Sequence, residues 1–132
     1  MPQLPDKNDA GAAPFSSHAT EIRIAFKKEW ISRKGDPSKM ALIKISGDSM
    51  VPTLLPGDLV LIDHGRNRLD HQGGIYAISV NRQLMIKRLQ GEPPLKRIRI
   101  ISDNPKYSLI EAKRDQVHIK GKVIWFGRDL ER

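Results

Sequence analysis

The sequence contains no cysteine and few aromatic residues, and each absence excludes a class of protein. Without cysteine, neither a disulfide framework nor a thiolate metal site is possible. Aromatic residues make up 5% of the chain, so its core has to be aliphatic, and a platform for stacking nucleic-acid bases is not expected. The glycine-rich phosphate-binding motifs of nucleotide-binding proteins are absent too.

Long apolar runs are missing as well. No run approaches the roughly 20 residues of a membrane-spanning helix, and the first residues, MPQLPDKNDAG, lack the apolar segment of a secretory signal. We therefore expect a cytoplasmic protein that does not contact membranes. His64 and His71 each follow an aspartate, but their spacing matches no strong metal-ligand pattern, so neither a metal nor another cofactor is expected.

Positive charge, by contrast, is in excess. Lysine and arginine number 23 against 15 aspartates and glutamates, which gives a formal net charge of +8. The excess lies in short groups at Lys27-Lys28, Arg33-Lys34 and residues 96–99 rather than in one stripe. A solvated face is the simpler interpretation, and contact with a polyanion such as nucleic acid stays open as the alternative.

The pattern of apolar residues predicts one mostly β domain. Residues 1–20 are rich in Pro, Ala, Ser, Gly and Asp, which is typical of a flexible arm, and residues 21–132 form the domain. Short aliphatic runs predict strands at residues 21–26, 40–45, 59–62, 75–80, 83–89, 95–101 and 117–126, with a helical turn at 28–33, a hairpin turn at 81–82 and a bulge at Gly121. We expect a compact curled sheet or barrel-like sandwich of short strands.

Ser49 is the first candidate functional residue. It follows the predicted strand 40–45 and Gly47, at a strand end where a hydroxyl can be exposed while the strand holds it in place. A single helical turn after it tolerates Pro52, and backbone N–H groups at such a turn can point at an oxyanion. The alternative interpretation is that Ser49 caps this turn.

Lys87 is the second candidate. On the predicted strand 83–89 it lies between two large apolar neighbours on one face, while Arg88 lies on the other face, so periodicity does not say which cation is buried. Burial lowers the pKa of a lysine, ordinarily about 10.4, by up to roughly 3 to 5 units. A buried Lys87 would be a general base and could form a Ser–Lys nucleophile with Ser49. The alternative is a lysine whose amine reaches water at the sheet edge.

Several groups of residues resemble the C-terminal domain of LexA-type repressors, a family that includes phage repressors and UmuD. The groups are Gly47-Asp48-Ser49-Met50, Pro52-Thr53, Pro56-Gly57-Asp58-Leu59-Val60-Leu61 and Ile86-Lys87-Arg88-Leu89. The resemblance continues through residues 75–80, 102–105 and 121–125, and covers residues 21–128 in all. Residues 26–30 are most similar to the phage-repressor branch.

This resemblance implies a signal-peptidase-like β fold and a serine peptidase that acts mainly on its own chain. Ser49 would be the nucleophile and Lys87 the general base. The backbone N–H groups of Asp48 and Ser49 would form the oxyanion hole, and Met50 and Pro52 would shape the adjoining substrate groove.

The resemblance also implies partners. Family members cut an Ala–Gly or Cys–Gly bond in an upstream arm, and Ala10-Gly11 is the matching dipeptide. They form homodimers, often through the C-terminal strand, which here carries Trp125 and Phe126. A RecA filament on single-stranded DNA promotes cleavage in the family, as part of the SOS response.

A family repressor also carries an N-terminal helix-turn-helix domain, for which the residues before Glu21 are too few. We therefore expect a fragment or a stand-alone relative that contacts DNA only through a missing domain. Two alternatives from other functional classes stay open. One is a catalytically silent dimerisation module, and the other is a basic β domain that binds nucleic acid without catalysis.

Overall fold

A computed structural model of the protein describes residues 24–91 and 96–131. In chain order the elements are helix α1 (Lys28–Lys34) and strands β1 (Met40–Lys44), β2 (Leu59–Asp63), β3 (Gly74–Val80), β4 (Gln83–Gly91), β5 (Arg97–Ile101), β6 (Ile110–Lys113) and β7 (Val117–Gly127). Two single-turn 3-10 helices, Pro37–Lys39 and Arg114–Gln116, precede β1 and β7. The helical turn predicted at residues 28–33 is therefore confirmed as α1.

The seven strands form one antiparallel sheet. They lie in the order β1-β2-β7-β3-β4-β5-β6, so the last strand of the chain is inserted between β2 and β3. Among the described residues the sheet does not close, because β1 and β6 remain as its two edges. The predicted mostly β class with a compact curled sheet is confirmed, and the sheet is open rather than a closed barrel.

The hairpin between β3 and β4 fixes the register that places Lys87. Asn81 and Arg82 both have positive φ angles, 51° and 67°, as in the two-residue turns whose twist matches that of paired strands. The turn predicted at these two residues is confirmed. The register that it sets brings Tyr76 of β3 opposite Lys87 of β4.

Strand β7 is bulged where it crosses the centre of the sheet. Its ladder with β3 pairs Ala77 with Gly121 and Ile78 with Ile119, so the extra residue is Lys120. The bulge predicted at Gly121 therefore lies one residue earlier. Gly121 itself allows the backbones of β7 and β2 to approach closely, because a Cβ there would stand 2.7 Å from the carbonyl oxygen of Asp63.

Two predictions at the ends of the sheet were wrong or incomplete. Residues 24–27 are in no strand, and residues 21–23 lie outside the described part of the chain. Phe26 instead packs against Trp30 and Trp125, with ring centroids 5.4 and 5.0 Å away, so its apolar character reflects aromatic packing. Strand β6 was not predicted, because only Ala112 of its four residues is buried. The predicted arm of residues 1–20 also lies outside the described residues.

Candidate active site

The loop that joins β1 to β2 carries Ser49 and is closed at its base by backbone hydrogen bonds. The Ile45 N–H donates to the Asp58 carbonyl at 2.7 Å, and the Gly57 N–H donates to the Ile45 carbonyl at 2.9 Å. Within the loop, Met50 and Leu54 are each 2% exposed and pack into the core. Burying a side chain of this size contributes about 1.5–3 kcal/mol, so these two residues anchor the loop to the sheet.

Ser49 lies on the outer side of this anchored loop. Gly47, with φ of 81°, turns the chain just before it, and the Leu54 N–H donates to the Met50 carbonyl to form the predicted single helical turn. Ser49 is half-buried, and among the described residues its hydroxyl makes no hydrogen bond, so it does not cap that turn. Pro52 is exposed on the loop surface.

A second segment, residues 102–107 after β5, contacts the Ser49 loop; we call it the linking turn. The Asp103 N–H donates to Met50 Sδ at 3.5 Å, and Thr53 Oγ1 donates to Asp103 Oδ2. Asn104 donates twice, from its backbone N–H to the Ser49 carbonyl at 3.0 Å and from Nδ2 to the Asp48 carbonyl at 2.9 Å.

These two bonds from Asn104 fix the peptide groups on both sides of Ser49. A trans peptide group is planar, so its N–H points away from its C=O. Holding the Asp48 carbonyl therefore sets the direction of the Ser49 N–H, and holding the Ser49 carbonyl sets that of the Met50 N–H. Asn104 is only 7% exposed, which keeps water from competing for these carbonyls.

The linking turn also contacts the two cations of β4. Lys87 Nζ donates to Ser102 Oγ at 2.7 Å, and Arg88 donates from Nε and Nη2 to the two carboxylate oxygens of Asp103, each at 2.8 Å. The linking turn thus contacts both the Ser49 loop and the strand that carries Lys87. The Ser49 loop and Lys87, which are far apart in the sequence, therefore share one neighbouring segment.

Both cations of β4 are half-buried, but they have different surroundings. Asp103 holds the pKa of the Arg88 guanidinium above its usual value through their hydrogen bonds. Lys87 is partly buried and has no carboxylate partner among the described residues; its hydrogen-bond acceptor is a neutral hydroxyl. Burial therefore lowers the pKa of the Lys87 amine from its ordinary 10.5. No hydrogen bond joins Lys87 Nζ to Ser49 Oγ in the described residues.

Tyr107 lies beside the amine. Its ring lies 5.4 Å from Lys87 Nζ, and its hydroxyl donates to Asp48 Oδ1, which raises the pKa of the Tyr107 phenol. Sequence reasoning missed Ser102, Asn104 and Tyr107 as parts of the site. The turn signal at residues 102–105 was recognised, but nothing in it indicated contacts with residues about 50 positions earlier.

The other predicted site residues lie apart from this arrangement. Trp125 is half-buried against Phe26, whereas Phe126 on the neighbouring position of β7 is 46% exposed. The candidate cleavage dipeptide Ala10-Gly11 lies outside the described residues. In the part of the chain that the structure covers, no helix is long and apolar enough to cross a membrane.

Comparison with known proteins places this chain in a family. The Peptidase S24-like family matches residues 2–124. The chain belongs to the Peptidase S24-like family. One relative, the 26 kDa repressor protein of Escherichia phage HK022, is 35% identical over 114 residues, which cover 83% of this chain and 47% of the relative. Another, Repressor protein CI of Enterobacteria phage phi80, is 36% identical over 108 residues, which cover 80% of this chain and 45% of the relative.

This S24-like membership and these phage relatives confirm the resemblance to LexA-type and phage repressors. The chain spans about half the length of each relative, so the match is to an S24-like domain and not to a whole repressor.

Proposed function

We propose that this domain is the self-cleaving and dimerising part of a phage-repressor-like transcriptional regulator. Ser49 is the nucleophile and Lys87 is the general base of a serine peptidase that acts mainly on its own chain. The observation that carries the proposal is the linking turn, which bonds to the Ser49 loop on one side and to Lys87 on the other. The lowered pKa of the Lys87 amine supports it independently.

The hydrogen bond from Lys87 to Ser102 leaves the amine able to act as a base. An uncharged amine has two N–H groups and one lone pair. Donation of one N–H to Ser102 Oγ orients the nitrogen and leaves its lone pair able to accept the hydroxyl proton of Ser49. Partial burial of the amine favours its uncharged form.

The reaction then follows the general sequence of acyl transfer. Ser49 Oγ attacks the carbonyl carbon of the scissile peptide bond as its proton passes to Lys87 Nζ. The carbonyl oxygen becomes an oxyanion, for which the N–H groups of Asp48 and Ser49 are the donors. When the tetrahedral intermediate collapses, the C–N bond breaks and the proton on Lys87 passes to the leaving nitrogen. A water molecule, deprotonated by Lys87, then hydrolyses the ester on Ser49.

The substrate in this proposal is the bond between Ala10 and Gly11 in the arm of residues 1–20. To be cut, the arm would have to reach the Ser49 loop of the domain of residues 21–132, where exposed Pro52 adjoins Ser49 and buried Met50 packs into the core. Small residues on both sides of the bond let an extended backbone enter a narrow groove. Cleavage there would release residues 1–10.

The regulator around this domain is part of the same proposal. Both relatives are named as repressors, and this chain spans about half of each, which supports a second domain that reads DNA through a helix-turn-helix. A RecA filament on single-stranded DNA would promote the cleavage. A homodimer would form through β7, where Phe126 presents its ring to solvent.

The test is incubation of the purified chain at about pH 7 and about pH 10, with the products weighed by mass spectrometry. We expect loss of residues 1–10, with a rate that rises about tenfold per pH unit up to the pKa of Lys87 and is constant above it. Ser49→Ala and Lys87→Met should abolish the loss. Lys44→Met, at an exposed lysine at the end of β1, is the matched control and should leave the rate unchanged. Cleavage that persists in Ser49→Ala would refute the proposal.

A second candidate is a dimerisation module without catalysis. One observation favours it: Lys87 Nζ is bonded to Ser102 rather than to Ser49. It predicts an intact chain at every pH in the same experiment, with dimerisation through β7 unaffected by Ser49→Ala.

A further inference from the structure

A concentration of positive charge lies on β5 and β6, away from Ser49 and Lys87. Lys96 precedes β5 and Arg97 begins it, while Lys113 ends β6 and Arg114 follows it; we call these four residues the basic edge. With Asp115 they line an open cavity of about 540 Å³. Four cations and one carboxylate give this lining a formal charge of +3.

The register of the sheet sets two of these cations against each other. Arg97 is directly opposite Lys113 in the β5–β6 ladder, and like charges in that position are destabilising. Two residues further on, the ladder pairs Arg99 with Glu111, whose Nε and Oε1 atoms are 3.6 Å apart. The same two strands thus carry one complementary pair and one repulsive pair on the same face. A bound anion would remove the repulsion.

The basic edge is held in position without being neutralised. The Arg114 N–H donates to the Lys96 carbonyl at 2.9 Å, and the Arg114 guanidinium donates to the Val117 carbonyl at 3.0 Å. These bonds tie the start of β5 to the segment after β6 through backbone oxygens. Within residues 24–91 and 96–131, none of the four cations makes an ion pair.

The basic edge is also separate from the candidate active site. Strand β5 runs from Arg97 at the basic edge to Ile101, and Ser102 follows it. At about 3.3 Å per residue, Arg97 and the Lys87 partner Ser102 are roughly 17 Å apart. A ligand on the basic edge would therefore leave the Ser49 loop accessible.

We propose that the basic edge binds the phosphate backbone of duplex DNA without reading its base sequence. Lysine and arginine donate charge-assisted hydrogen bonds to phosphate oxygens, and such contacts position a protein without carrying sequence information. Among the described residues that line the cavity there is no aromatic side chain for unpaired bases to stack on, so a duplex is favoured over a single strand. The described lining residues are all charged and none is a large apolar residue, which disfavours insertion into a membrane surface.

This contact goes beyond self-cleavage and does not depend on it. In a regulator whose other domain holds DNA, a tethered weak site sees its ligand at a high effective concentration. The basic edge would then add a salt-sensitive contact beside the operator. It would raise the DNA affinity of the intact regulator, and this increase in affinity would be lost when cleavage separates the two domains.

The test is fluorescence anisotropy of a short labelled DNA duplex, titrated with the purified domain at several salt concentrations between about 50 and 200 mM. We expect a dissociation constant of roughly 10⁻⁴–10⁻⁶ M, as for non-specific binding. Arg97→Ala/Lys113→Ala removes the facing cations and should weaken binding at low salt about tenfold, with a salt slope smaller by about 1.8. Lys27→Ala/Lys28→Ala removes two exposed lysines at the start of α1 and should leave the salt slope unchanged.

The proposal would be overturned if the unmodified domain did not bind the duplex at low salt, or if both double variants lost the same DNA affinity, which would indicate an effect of net charge alone. Tighter binding to a single strand of the same sequence would also overturn it. So would binding to vesicles containing phosphatidylserine without binding to DNA. The charges at the sheet edge could instead serve only to prevent aggregation with other sheets, and thermal unfolding distinguishes that role from DNA binding. Arg97→Ala/Lys113→Ala should unfold at the same or a higher temperature, since a repulsive pair is lost. A variant that aggregates while its soluble fraction keeps full DNA affinity would also refute the proposal.

Discussion

Removing the Arg128 side chain should destabilise the domain through the loop that carries Ser49. Asp58, at the base of that loop, has a side chain with 0% exposure. Arg128 donates from Nε and Nη2 to its two carboxylate oxygens, each at 2.7 Å, and the Leu55 N–H donates to the same carboxylate at 2.8 Å. Arg128→Met keeps much of the aliphatic length of the side chain but takes the guanidinium away from a buried negative charge.

The expected magnitude lies between those of two familiar kinds of ion pair. Breaking a fully buried pair by removing one partner costs about 3–5 kcal/mol, and an exposed pair contributes about 0–1 kcal/mol. The Asp58 carboxylate is completely buried, but the Arg128 side chain is 33% exposed, so water can partly replace the guanidinium. We therefore expect Arg128→Met to lower the free energy of unfolding by about 2–3 kcal/mol.

Urea denaturation followed by tryptophan fluorescence measures this loss, because Trp125 lies on β7 three residues before Arg128. Arg66→Met is the matched control: it removes the same side-chain type from an exposed pair, Arg66 with Asp70 at 4.0 Å, and should cost less than about 1 kcal/mol. Adding Asp58→Asn to Arg128→Met should recover part of the loss, since the buried charge disappears. Equal effects of Arg128→Met and Arg66→Met would refute the reasoning from burial.

The remaining predictions concern catalysis and assembly. Asn104→Ala should lower the plateau of the cleavage rate roughly 10- to 100-fold without moving its pH midpoint, because Asn104 orients the Ser49 N–H but does not touch Lys87. Tyr107→Phe removes a different bond to Asp48 and is the control; an equal fall in its plateau would contradict the peptide-plane argument. Phe126→Asp should shift any dimer towards monomer in sedimentation experiments, because it places a charge on the exposed ring position of β7, and an unchanged dimer would exclude this contact.

Local sequence patterns were sufficient to predict most of the sheet. Alternation and the turn residues Asn81-Arg82 identified β3 and β4, because side-chain period and turn chemistry are properties of neighbouring residues. Strand β6 was not predicted, because a short edge strand with one buried side chain shows no alternation of polar and apolar residues. The segment before α1 was mistaken for a strand because aromatic packing onto β7 produces the same apolar signal.

The candidate site was predicted only in part, for a related reason. Ser49 and Lys87 stand in recognisable local surroundings, so the sequence singled them out as candidates. Asn104 reaches Asp48 across 56 positions, and no periodicity or spacing rule links residues that far apart. The linking turn was visible as a turn, but its role depends on tertiary contacts that only the folded chain brings together.

The central place of β7 in the sheet has a consequence for a chain that is still being synthesised. Without β7, the strand order divides into two separate groups, β1-β2 and β3 to β6, with no ladder between them. The two groups can join only after β7 has been synthesised, up to Gly127, which pairs with Leu59 of β2. A nascent chain on the ribosome, or one that stops short of Val117, would therefore leave the edges of β2 and β3 open to strands of other molecules.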